Sequence, residues 1–171
     1  MLGRRRRREG GEGRTPTEIY DELRRQVIEL DPAQVGLGPS PTLPRAWGLL
    51  METAYPNGTA TLVALADGTT SLYTSSGGGM IGGGGHPQVA TATRRLLEVV
   101  EQHLAAMPAS TDTMLPALGR VALRALTYED RRVVVADEDD LGYGRHALSA
   151  VFHAAHEVIT ELRLIEEARS P

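Results

Sequence analysis

Two short turn signals constrain this chain more than anything else in it. Asn57-Gly58 and Asp67-Gly68 each stand between runs rich in β-branched and apolar residues: Trp47 to Tyr55, Thr59 to Ala66, and Thr69 to Thr74. Asn-Gly and Asp-Gly supply the positive backbone angles that tight hairpins need, so the three runs read as an antiparallel meander. A second hairpin is expected from Val121 to Tyr128 and Arg131 to Ala136, around Glu129-Asp130.

Helical patterns flank these strands. Thr15-Pro16-Thr17-Glu18 combines an N-cap, a proline at the first helical position and a capping-box glutamate. Ile19, Leu23, Val27 and Leu30 then repeat at helical spacing until Asp31-Pro32. The prolines at 32, 39, 41 and 44 make the next stretch an extended connector. Pro87 opens a second helix with Val89, Leu96, Val100, Leu104 and Met107 on one face. Residues 108–118 read as a linker, and the acidic run Asp137 to Asp140 as a solvated turn. A last helix begins near His146 to Ser149, with Leu148, Phe152, Ala155, Ile159 and Leu162 as its buried stripe. The expectation is an α+β fold: a five-stranded antiparallel sheet, meander then hairpin, packed with three helices.

At 171 residues the chain suits one domain, 15–171, behind an Arg- and Gly-rich tail, 1–14, that reads as disordered. Hydrophobic residues make up 41% and aromatics only 4%, so the core must be aliphatic. Every basic residue is Arg, which with abundant Ala and Gly suggests a GC-rich bacterial genome. Cysteine is absent, which excludes disulfides, thiolate metal sites and a Cys nucleophile. Setting aside Arg4 to Arg8 leaves the rest of the chain at -9, against -4 for the whole. An acidic body makes duplex nucleic acid an unsuitable partner, although the Arg4 to Arg8 tail can touch anionic ones. No apolar run is long enough for a membrane span, and none follows the arginines to form a signal peptide. A cytoplasmic location is expected.

The segment Leu62-Val63-Ala64-Leu65-Ala66-Asp67-Gly68-Thr69-Thr70-Ser71-Leu72-Tyr73, followed by a helix, resembles the strand, Asp-Gly, strand, helix opening of roadblock and other profilin-like domains. The element order is also similar to that of type III secretion chaperones. The resemblance covers about 60 residues, and it implies a non-catalytic interaction module that dimerises.

The glycine segment Gly77 to Gly85 departs from both patterns, with seven glycines in nine positions. It lacks the Gly-Lys-Ser/Thr of a P-loop and the parallel βαβ unit of a dinucleotide site. Amides of Gly82, Gly83, Gly84 and Gly85 at the start of the following helix could still favour an anion, with His86 beside them and Arg145 and His146 as further candidates. The competing reading is a flexible hinge whose apolar tip, Met80-Ile81, contacts a partner. His153 and His156, three apart on the last helix, are weak metal candidates, since neither His-Glu-x-x-His nor a di-iron pattern is present. Ser75 or Ser76 with His86 could begin a triad, but no Gly-x-Ser-x-Gly elbow exists. The residues therefore favour a non-catalytic interaction or adaptor protein without a cofactor, pairing with itself or another protein. The alternative is a small-anion or nucleotide-phosphate binder, and possible enzyme, using the loop at 77–86.

Overall fold

The structure is a computed structural model and describes residues 13–171. The Arg4 to Arg8 run lies outside the described residues. Six antiparallel strands form one sheet: β1 (Ala46–Tyr55), β2 (Gly58–Leu65), β3 (Thr70–Thr74), β4 (Gly79–Met80), β5 (Arg120–Thr127) and β6 (Arg131–Asp137). Their spatial order is β4-β3-β2-β1-β5-β6, so β1 is central and the two expected hairpins meet along it. The helices are α1 (Pro16–Ile28), α2 (Pro87–His103), α3 (Glu138–Gly142) and α4 (Ser149–Arg169).

Strand alternation divides the interior into two cores. On one face Leu49, Met51, Leu62, Ala64 and Leu123 pack under α2 and α4, which contribute Val89, Leu96, Val100, Phe152 and Val158. On the other face Trp47, Leu50, Val63, Leu65 and Leu126 lie beneath α1. A register shift between Ala46 and Gly48 turns Trp47 toward the α1 side, where its indole Nε1 donates to the Thr127 carbonyl at 3.0 Å. Glu101 of α2 anchors the entry to β1 by accepting the amides of Arg45 and Ala46 at 3.1 and 2.7 Å. Burial opposes its ionisation, but those amides and the Arg45 guanidinium outweigh burial and hold the carboxyl below its usual range.

Three expectations change. The sheet has six strands and not five, because the glycine segment itself supplies β4: Gly79 and Met80 pair with Tyr73 and Leu72. There are four helices and not three, because Asp137 caps α3, accepting the amides of Asp139 and Asp140, so the acidic run is helical. The α1 stripe is also rotated. Tyr20 and Ile28 are its buried residues, whereas Ile19 is 46% exposed. Tyr20 and Arg24, which apolar counting passes over, are what fasten the helix to the sheet.

The glycine segment is folded by close approach. A Cβ at Gly79 would sit 2.1 Å from the Leu72 carbonyl oxygen, and one at Gly84 would sit 1.8 Å from the Gly68 carbonyl oxygen. Gly85, in the same turn of helix, has nothing within 4 Å of such a Cβ and no positive φ. Gly84→Ala should therefore cost about 1–3 kcal/mol, as overpacked sites do. Gly85→Ala should stay within about 0.5 kcal/mol of the parent. Urea denaturation of the two variants checks this; equal stabilities would show that the segment is not packed as described.

Candidate functional site

The α1 face of the sheet carries a buried polar row. Tyr73 of β3 lies opposite Thr61 of β2, and Thr61 lies opposite Glu52 of β1. Helix α1 answers each position from above. The Tyr20 hydroxyl hydrogen-bonds Thr61 Oγ1 at 2.7 Å, and the edge of its ring packs on Tyr73 with centroids 5.5 Å apart. One turn on, Arg24 forms a two-pronged ion pair with Glu52, whose carboxylate has no solvent exposure. Arg124 of β5 approaches the same carboxylate, with Nε 2.7 Å from Oε2.

The two guanidinium groups have further partners. Arg124 donates to the carbonyls of Asp112 and Met114, and Arg24 to that of Thr113. Residues 108–118 are thus strapped down by the carbonyls of 112–114, and several of their apolar side chains point away although Pro116 is buried. Met114 is 75% exposed, Leu118 65% and Leu115 41%.

Beside Tyr20 and Tyr73 a cleft of about 370 Å³ opens between α1 and the glycine segment, lined by Pro16, Ile19, Leu23 and Ile81 as well as the two tyrosines. Ile81, at its rim, is 69% exposed. Tyr73 is buried, and its hydroxyl has no hydrogen-bond partner among the described residues. Burial pushes the Tyr20 phenol up to about 12; the Thr61 bond works against this and the nearby Glu52 charge adds to it. Tyr73 is pushed up further, by burial first and then by Tyr20 and Glu52. Both remain protonated at any physiological pH, so the buried Tyr73 hydroxyl is a donor with no acceptor among the described residues.

The candidate residues from sequence are dispersed. Met80 is half-buried and packs against the α2/α4 core, so of the expected apolar tip Ile81 is the residue that stands out into solvent. Gly82 to Gly85 form a short 3-10 turn in which the amides of Gly85 and His86 are used internally, bonding to Gly82 and Gly83. His86 meets Arg169, Nε2 to guanidinium 3.1 Å, at the far end of α4 from Arg145 and His146. Helix α4 has 21 residues, about 30 Å at the standard rise, so these candidates do not converge on one anion. Arg145 pairs with Asp140 at 3.0 Å and lies over the Tyr143 ring, while His146 Nδ1 accepts the Leu148 amide.

Ser75 Oγ is committed to the Thr59 amide. His153 Nε2 contacts the Gly142 carbonyl. His156, expected on the outer side of α4, is instead half-buried with its ring 4.4 Å from Phe152. No group of three or more His, Cys, Asp or Glu that could hold a metal ion occurs among the described residues. Nor is any described helix long and apolar enough to cross a membrane.

Sequence reasoning passed over Glu52, Arg24, Arg124, Tyr20 and Tyr73. The available signal was a glutamate in the middle of an apolar strand: a charge in a central strand is retained only if something pairs with it. No protein-family model, curated protein or solved structure matches this chain.

Two outcomes follow from the polar row. Glu52→Gln leaves two buried guanidinium groups without a counter-charge and should cost about 3–5 kcal/mol in chemical denaturation, with faster amide exchange in α1 and 108–118. A loss below about 1 kcal/mol would show that water satisfies both arginines. Because the folded phenols titrate above the ordinary tyrosine value, their contribution is complete below about pH 10 and is lost as pH rises through the folded values. Stability should decline above about pH 10, and less steeply in Tyr20→Phe.

Proposed function

We propose that the protein is a non-catalytic interaction module that self-associates through its α1 face. The observation that carries this reading is the apolar cleft between α1 and the glycine segment, with Ile19 and Ile81 exposed at its rim and an unpartnered Tyr73 donor among its lining residues. The occupant we assign is the 113–118 strap of a second copy. It offers exposed Met114 and Leu118 for the cleft, and the backbone carbonyls of Leu115 and Pro116, which the two arginines do not claim, as acceptors for Tyr73. Cleft and strap lie on the same face of the sheet, so two copies related by a two-fold axis can exchange these contacts reciprocally. Exposed apolar groups concentrated in this way are the usual mark of a protein contact surface. A self-associating module is also what the resemblance to profilin-like and chaperone-like domains implies. An adaptor that binds another protein would use the same cleft.

A second reading, small-anion binding at the start of α2, draws on the His86–Arg169 contact there. Inorganic phosphate should raise the melting temperature if it holds and leave it unchanged if it does not.

Sedimentation velocity tests the main reading. A concentration-dependent dimer is expected, converted to monomer by Ile81→Asp or Met114→Asp, both at exposed positions that leave the fold intact. Tyr73→Phe separates binding from folding. Removing an unpartnered buried hydroxyl should leave the monomer as stable or more stable, and should weaken the dimer about fivefold or more. A monomer at about 0.1 mM, or a dimer indifferent to all three substitutions, rejects the proposal.

A further inference from the structure

The helix-facing side of the sheet changes character along its strands. Under the middle of α4 it is apolar, with Met51, Leu62 and Leu72. Toward the β1–β2 turn the same side presents Thr53, Tyr55 and Thr74, with Asn57, Thr59 and Ser76 around them. Helix α4 continues over this end with His156, Ile159 and Arg163, and a cavity of about 250 Å³ remains between helix and sheet. An ordinary core would close such a space with aliphatic side chains. Here one side is aliphatic, with Met51, Leu62 and Ile159, and the rest presents hydroxyls, an imidazole and a guanidinium.

One of these groups lacks the partner that burial demands. His156 Nε2 is buried and has no hydrogen-bond partner among the described residues. Arg163 lines the cavity from an exposed position and makes no ion pair with any described carboxylate, so its charge is free to meet a ligand. A buried polar atom without a partner in an otherwise satisfied fold points to a group that the bound state supplies.

We propose that this cavity binds a small monocarboxylic acid, with its apolar tail against Met51, Leu62 and Ile159 and its carboxylate between Arg163 and His156. Arg163 is the one permanent cation among the described lining residues, which together with the aliphatic side suits a monoanion carrying an apolar tail. The cavity volume fits a chain of about six carbons. The site lies on the opposite face of the sheet from the self-association cleft and does not depend on it.

Burial keeps the His156 imidazole below the usual histidine value, and Arg163 and His153 add to this. Around it stand Arg163, His153 and Glu157 of its own helix, Arg95 of α2 across the adjoining groove, paired with Glu157 at 3.9 Å, and Tyr55 of β1. An arriving carboxylate would stabilise the imidazolium, so binding takes up a proton and affinity should rise as pH falls from about 7.5 to 6.5.

Calorimetric titration with sodium hexanoate tests the site, with hexanamide as the uncharged control. Saturable hexanoate binding is expected, at least about tenfold tighter than hexanamide. Arg163→Gln should weaken it by about tenfold or more, and Ala60→Leu, which fills the cavity from β2, should abolish it while circular dichroism remains that of the parent. Absence of binding at about 10 mM hexanoate, or binding that both variants retain, overturns the proposal. So does hexanamide binding as well as hexanoate. Affinity that does not change with pH shows that no proton is taken up and overturns the imidazolium as a partner of the head group.

Discussion

The Glu52 carboxylate is the interaction on which the α1 side of the molecule depends. It stands in the central strand with no exposure to solvent, and an isolated charge there would be prohibitively costly. Two arginines from different elements converge on it, one from α1 and one from β5, and each also binds backbone carbonyls of 112–114. One acidic residue thereby fixes a helix, a strand and an irregular strap in a common geometry. Hydrophobic burial on this face is comparatively thin, since α1 buries only Tyr20 and Ile28. The ionic cluster therefore determines where α1 sits, while apolar contact provides the bulk attraction; charged groups of this kind specify an arrangement more than they stabilise it.

The same arrangement explains why apolar surface is left uncovered. Arg124 reaching up from the sheet and Arg24 reaching across from α1 claim the carbonyls of Asp112, Thr113 and Met114, and Met114, Leu115 and Leu118 face outward. On the other side of α1, holding Tyr20 to Thr61 fixes the helix face so that Ile19 points toward the glycine segment and not into the core. Exposure of these residues is a consequence of internal polar geometry and not of loose packing.

The hairpins, α2 and α4 were legible in the sequence because each rests on a local pattern: Asn57-Gly58, Asp67-Gly68, and apolar residues at helical spacing from Val89 and Leu148. What was not legible depends on contacts distant in sequence. Glycine content at 77–85 is equally compatible with a hinge and with tight packing. Only the approach of Gly84 to Gly68, and of Gly79 to Leu72, decides for packing. Tyr20 in place of Ile19 as the buried residue of α1 follows from partners on β2 and β3, 41 and 53 positions away, which no periodicity encodes. Charge alone makes Asp137 to Asp140 a solvated turn, although an aspartate followed by acidic residues also makes a good helix start. The candidate anion set failed to assemble because the length of α4 separates its members, and length is a property of the fold that residue types do not reveal.

The sheet also separates two kinds of chemistry. Its α1 face is closed by a charge cluster with a donor left over at Tyr73, and its α4 face is closed by aliphatic packing with a donor or acceptor left over at His156. These are the two buried side-chain atoms without partners among the described residues, and each borders a cavity. Random imperfection would scatter such atoms through the interior without regard to open space. Tyr73 stands in β3 beside the cleft under α1 and His156 in α4 beside the cavity on the opposite face, so each opening has one polar atom for which the described residues supply no partner.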